Sequence, residues 1–276
     1  MCKYVLVTTV IFLICSIIVG GYFLWISVFG KRECHRDSDP PIYKCSTTVH
    51  IFGWKECSFK NICLDARHTN FVPESDFVPE NNTSLDLGGG SGSKMHTLTS
   101  DICNKFPVVT IYRASMLGLT MIHGNAFKNC KNLEKLNLGY NSLTHLPRNV
   151  FESNTEMKYL YLYFNRLREI DPGIFKTLQK LEKLHLEGNS LISLNLRQFP
   201  LMPYLRSLFL HQNQLRVLEV KRIAKKFPRL GYLSLCDNAF IIGTDLHTLL
   251  EYFNERHVDT DLRYCLSEKV ESDIFK

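Results

Sequence analysis

At 276 residues, 45% of them hydrophobic, the chain is long enough to bury one large core or two modest ones. Its net charge of +6 arises from 33 Lys and Arg against 27 Asp and Glu, well mixed along the sequence, an excess too mild to point to nucleic acid as a partner. The one dense basic run, Lys221, Arg222, Lys225, Lys226 and Arg229, reads as a solvated face, with contact to an anionic lipid or polysaccharide as the alternative.

The first element is an uncharged run of 27 residues, 4–30. As a helix it would measure ~40 Å, more than the ~30 Å hydrocarbon core of a bilayer. Two readings stay open for residues 1–30. A retained signal-anchor is favoured, because the apolar run continues as "YFLWISVFG" past the small pair Gly20-Gly21. A secretory signal peptide cut at that pair is the other. Lys31, Arg32 and Arg36 follow the run, where the positive-inside rule would put cytosol. The cysteines argue the opposite. Eight lie beyond the leader, namely Cys34, Cys45, Cys57 and Cys63, then Cys103 and Cys130, then Cys236 and Cys265. An even number behind a leader reads as disulfides in an oxidising compartment. Zinc competes only at the first four, and their gaps lack the short spacing of most structural zinc sites. Overlapping sequons at Asn81 and Asn82 fit a lumenal or extracellular location.

Residues 31–87 form a cysteine-containing stalk too short for its own core, reliant on bridges. Residues 88–94, "GGGSGSK", read as a flexible linker, with "NNTS" just before it exposed. Within the stalk, "WKECSFKNICLD" (residues 54–65) resembles the segment after the membrane anchor in extracellular O-linked N-acetylglucosaminyltransferase-like proteins, through its Cys-x-Phe-x-Asn-Ile-Cys motif. That resemblance implies a fragment of a transferase, because the catalytic domain expected after it is replaced by another kind of sequence. A small disulfide knot is the plain reading.

Residues 95–131 read as an N-terminal cap and first turn. A first strand is expected near Val109 and Ile111, with about three extra residues between Met116 and Ile122, and Cys103 and Cys130 bracket it. Over residues 132–240 a repeat takes over. "LEKLNLGYNSLTHLPRNVF" returns as "MKYLYLYFNRLREIDPGIF", "LEKLHLEGNSLISLNLRQF" and "LRSLFLHQNQLRVLEVKRI", with a shortened copy, "LGYLSLCDNAF". Asn141, Asn165, Asn189 and Asn213 are 24 residues apart, and Asn238 follows after 25. Phe127, Phe151, Phe175 and Phe199 keep the same step, and Ile223 closes the series. In each turn the Leu-x-Leu core predicts a short strand with both leucines inward. Each Asn amide is placed to satisfy backbone groups where the chain leaves that strand. The phenylalanines fill the back of the core. Residues 241–276 form the C-terminal cap and tail. There Leu246, Leu249, Leu250 and Phe253 share a helix face, Asp245 or Thr244 is placed to N-cap it, and a Cys236–Cys265 bridge would pin the lid.

The pattern LxxLxLxxNxL resembles the leucine-rich repeat family, and its extracellular animal members, including insect immune types, are the most similar in kind. The resemblance implies an α/β solenoid, a horseshoe of short parallel strands on a concave face with disulfide-stapled caps, here preceded by a hydrophobic helix. It also implies a module that recognises another extracellular or cell-surface protein. Residues flanking the inward leucines would line the concave side. They form three columns, from which Tyr159, Tyr161, Tyr163, Lys183, His185, Glu187, Phe209, His211 and Tyr232 are the binding candidates. Aromatics on a rigid sheet give contact area at low entropy cost, although tyrosine also simply suits strands. His185, Glu187 and His211 lie close enough across two turns to suggest a metal, but solvent-facing polar residues are the expectation. The sequence shows no Ser/His/Asp order, phosphate-binding glycine loop or His-Glu-x-x-His helix, so neither catalysis nor a cofactor is expected, and nucleic acid is not an expected partner. The expected location is membrane-tethered through residues 4–30, or secreted, and a tethered chain would need a partner receptor to signal. An enzyme-derived secretory-pathway protein whose repeats guide a substrate, and a purely structural spacer, are the alternatives.

Overall fold

In this computed structural model the described residues are 82–87, 94–241 and 246–265, together with the backbone of strands Ile42–Tyr43, Cys45–Val49, Lys55–Phe59, Cys63–Leu64 and Val72–Pro73. The apolar run 4–30, Cys34, Asn81, Thr244 and Asp245 lie outside them, and of Cys45, Cys57, Cys63 and Asn82 only the backbone is described. Among the described residues no helix is long and apolar enough to cross a membrane.

One ten-stranded sheet runs through the molecule, its strands neighbouring one another in chain order: β1 (Cys45–Val49), β2 (Lys55–Phe59), β3 (Asn82–Asp86), β4 (Ile111–Arg113), β5 (Lys135–Asn137), β6 (Tyr159–Tyr161), β7 (Lys183–His185), β8 (Ser207–Phe209), β9 (Tyr232–Ser234) and β10 (Asp259–Thr260). All pairs are parallel except the β1–β2 hairpin. The registers superpose Leu136, Leu160, Leu184, Leu208 and Leu233, and all five are fully buried. Each burial stabilises by about 2 kcal/mol. Because only three residues per turn are extended, β-strand alternation gives one inward side chain between two outward ones, and the next leucine of each turn (Leu138, Leu162, Leu186, Leu210, Leu235) is buried as well.

The asparagines close each turn as their spacing predicts. Asn165 Nδ2 donates to the carbonyls of Leu138, Leu162 and Tyr163, and its Oδ1 accepts from the Leu143 amide. Asn189, Asn213 and Asn238 repeat that set one turn further on. One side chain thereby binds backbone groups of its own turn and of the preceding one, groups that would be costly to bury unpaired. Behind the leucines the phenyl rings stack in pairs, Phe127 on Phe151 at 5.9 Å and Phe175 on Phe199 at 5.1 Å, and Phe227 closes the series edge-on to Phe199.

Two expectations need correcting, and a third segment departs from the common form of the turns. The first full turn carries no extra residues. Its strand, β4, pairs Tyr112 with Leu136, so Tyr112 is the inward residue, Ile111 faces outward, and Ala114 stands where the other turns have their second leucine. From Tyr112 to Leu208 the 24-residue step is unbroken, and Leu233 follows after 25. Tyr112 packs edge-on against Phe127 at 5.8 Å, and burial pushes its phenol well above the usual range. Second, the solenoid begins earlier than the sequence suggested. Residues 82–86 form β3, with Leu85 in register with Tyr112, and Ser84, expected to be exposed before a linker, is buried together with Leu85 and Leu87. Third, the segment from Glu219 differs from the other turns: Val220–Lys226 is a helix, α2, with Ile223 buried and the basic run on its outer side. Lys226 donates through Nζ to the Phe199 carbonyl, and Arg222 pairs with Glu219 at 2.9 Å.

Two disulfides staple the described array. Cys103, in the short helix α1 (Asp101–Lys105), is bonded to Cys130, and Cys236 to Cys265 at the C-terminal end. The closing helix, α3 (Leu246–Asn254), buries Leu249 and Phe253 against the last turn. Asp261 then receives the amides of Leu235 at 2.7 Å and Cys236 at 3.2 Å, satisfying the end of the sheet where no further asparagine follows.

Candidate concave recognition surface

The outward residues of β5 to β9 form the face anticipated from the repeat. In the middle column Tyr161, His185 and Phe209 stand in register on adjacent strands. Tyr161 stacks on His185 at 4.8 Å and His185 on Phe209 at 3.9 Å, nearly coplanar. Phe209 continues to Tyr232 at 5.1 Å. Parallel pairing fixes this: strands ~4.8 Å apart bring in-register rings to stacking distance. The four rings are half-buried, each by its neighbours, and none enters the leucine core. Lys135 sets its Nζ over the Tyr161 ring at 5.3 Å.

Tyr163 leans from the third column toward the preceding turn, where its hydroxyl meets the Asn137 Nδ2 at 3.3 Å. A methyl group at Gly139 would collide with the Tyr163 ring, and one at Gly188 with the Phe164 ring. The two glycines are therefore recesses into which aromatic rings of the adjoining turns fold. The residue before each repeat asparagine takes a left-handed conformation (Tyr140, Phe164, Gly188, Gln212 and Asp237), and so does Met116, one step earlier, before Leu117. At Tyr140 and Phe164 this aims two rings along the rim, stacked at 4.8 Å and both exposed. Sequence reasoning missed this rim; the signal was the aromatic pair directly before two consecutive repeat asparagines.

Other expected members are placed less simply. Lys183 is exposed, Tyr159 and His211 are half-buried, and all three face outward. Glu187 does not face solvent. It is only 8% exposed, because its carboxyl folds down beside the strand, where Oε1 accepts from His185 Nδ1 at 2.8 Å and Oε2 has no hydrogen-bond partner among the described residues. His211 turns instead to the Ser234 hydroxyl, 2.6 Å from its Nδ1. The two histidines thus use their nitrogens separately. Among the described residues the one grouping of metal-type ligand atoms is Cys236, Asp261 and Cys265, and its two sulfurs are already joined as a disulfide.

The electrostatics divide along the face. Burial, then the Arg113 and Lys183 charges, hold the Lys135 ammonium below its ordinary range. Burial, then Tyr159 and Tyr163, push the Tyr161 phenol up. Toward the C-terminal end the sign reverses: Tyr232 is raised by burial and then by Asp261, Tyr264 and Asp259, while burial also raises Asp261, against the pull of its two backbone donors.

The leucine-rich repeat family matches residues 117–167 and 155–215. Among solved structures the chain is similar to the APL1 leucine-rich repeat domain (TM-score 0.61, 24% identity, 71% of this chain and 48% of that one). It is similar to the LRIM1/APL1C complex (0.62, 24%, 72% and 35%) and to the TLR13–ssRNA13 complex (0.51, 25%, 56% and 21%). In each case the match spans less than half the length of the solved chain. No curated protein sequence matches.

Proposed function

Since this chain is a leucine-rich repeat protein, we propose that it binds another protein through the concave face of its sheet, outside the cell or in the secretory pathway. The observation that carries this reading is the contiguous ring series Tyr161–His185–Phe209–Tyr232. These rings lie outside the leucine core, on the outward side of the strands. Half-buried aromatics held rigid by neighbours lose little entropy on contact and bury much apolar area, which is how interface anchors work. Apolar area of this kind is seldom left open on a solitary chain. Two disulfides support an oxidising location. The sequons at Asn81 and Asn82 are read as glycan acceptors, and residues 1–30 as the leader that brings the chain there, as anchor or signal. One of the similar structures, LRIM1/APL1C, is itself a complex of two proteins.

The test is binding by the full chain to proteins of the extracellular fluid or surface of its own cells. Tyr161→Ser with Phe209→Ser is compared with Lys180→Glu, which alters a pair with Glu156 away from the face. Loss of two such anchors should weaken a genuine contact at least ~30-fold; binding unchanged in the double variant and lost in the Lys180 variant places the contact elsewhere.

A further inference from the structure

Row by row, the charges on this face are arranged unequally. The row just before the strands alternates, Glu134, Lys158, Glu182, Arg206, one residue per turn. It neutralises itself: Lys158 pairs with Glu134 at 2.9 Å and also feels Glu182. The next row, the first outward residue of each strand, does not. It runs Lys135, Tyr159, Lys183 in strict register, and neither lysine has a carboxylate at ion-pair distance among the described residues. At Lys135, burial and then the nearby Arg113 and Lys183 charges disfavour the charged form. Within the chain Lys135 meets only the face of the Tyr161 ring, and a partner of opposite sign would relieve the crowding of like charge.

We propose that Lys135 and Lys183, on either side of Tyr159, receive two acidic side chains of one extended segment of the partner protein, with Tyr159 and Tyr161 packing against the residues between. The proposal rests on the concave-face reading and adds the chemistry of the partner. Two strand spacings set the lysines roughly 10 Å apart at Cα, a span that an extended segment of polyproline II type, with three residues per turn and ~3.1 Å per residue, covers in three residues while keeping both acids on one face. The segment therefore crosses the strands and presents acids three positions apart. A polynucleotide suits the face less well. It carries a charge at every residue, and beside the lysines lie the carboxyls of Glu134 and Glu182 and the buried, unpartnered Oε2 of Glu187.

The experiment titrates the full chain with three labelled probes: a short synthetic peptide carrying two glutamates three positions apart around a tyrosine, its glutamine counterpart, and a single-stranded RNA of similar length. Fluorescence anisotropy is read at low salt and at ~0.5 M salt, where exposed pairs are screened. The acidic peptide should bind about tenfold more tightly than the glutamine peptide at low salt, lose that margin at high salt, and lose it again in the Lys135→Gln/Lys183→Gln chain. If both peptides bind alike and both are lost in Phe209→Ser, the acidic-partner proposal is overturned and the concave reading stands. If binding survives Phe209→Ser and the lysine variants together, both fall. Tighter binding of RNA than of the acidic peptide, or no binding of any probe by a chain that melts normally, also overturns the proposal.

Discussion

At the scale of single residues, the asparagines are the clearest case of structure written in a side chain. Asn189 serves the carbonyls of Leu162, Leu186 and Glu187 and the amide of Leu167. Asn189→Ala leaves these buried groups unpaired and should cost about 3 kcal/mol or more, read as a shift in urea midpoint without change of slope. The left-handed residues before the asparagines run the other way. Gln212 holds φ 54° with an exposed side chain, a conformation that costs a non-glycine residue about 1 kcal/mol. Gln212→Gly should therefore stabilise by about 0.5 kcal/mol once the greater freedom of the unfolded glycine is subtracted; a lower midpoint would show that Gln212 makes a contact worth more than its strain. The asparagine column was legible because a buried polar residue recurring every 24 positions has few explanations. Glu187 was not: its burial depends on His185, placed two residues away in sequence but brought to 2.8 Å by the strand geometry, and no periodicity announces that.

Among the elements, the caps show where sequence pattern misleads. Val109 and Ile111 alternate like inward strand residues, yet β4 turns Tyr112 inward instead. The larger ring has a place because Ala114 follows where other turns carry a second leucine, and Phe127 offers an edge-on partner. Strand β3 was hidden for a related reason. Leu85 and Leu87 carry the Leu-x-Leu signature, but the glycine run after them reads as a linker, so the pair lost its context. At the far end, the cap hangs on Asp261 and on the Cys236–Cys265 bridge. Opening that 29-residue loop with Cys236→Ser and Cys265→Ser should cost about 3–4 kcal/mol. Burial raises the folded-state value of Asp261, so the folded chain favours its protonated form. Its contribution is greatest below the ordinary carboxylate range and declines as pH rises through the raised value. Relative to Asp261→Asn, the wild type should lose stability as pH rises above about 4; an unchanged or growing margin on that rise would mean that the backbone donors outweigh burial.

For the whole molecule, the account joins two consequences of one repeat. Identical turns stack the leucines, amides and phenyl rings into a core that no single turn could close. The same register lines up whatever lies outward, so Tyr161, His185 and Phe209 meet as a continuous surface without any contact between neighbours in sequence. This is why the columns could be read from the sequence, while their stacking, the lean of Tyr163 into Gly139 and the uncompensated lysine row needed coordinates. The most direct measurement of the central claim is photo-cross-linking from the sheet. A benzophenone amino acid is placed at Phe209 in one full chain and at Gln179, on an exposed turn away from the face, in another, and both are irradiated in the fluid or at the cell surface where the protein resides. The account predicts a discrete adduct with another protein from position 209 and none from 179. An adduct from 179 alone would contradict it.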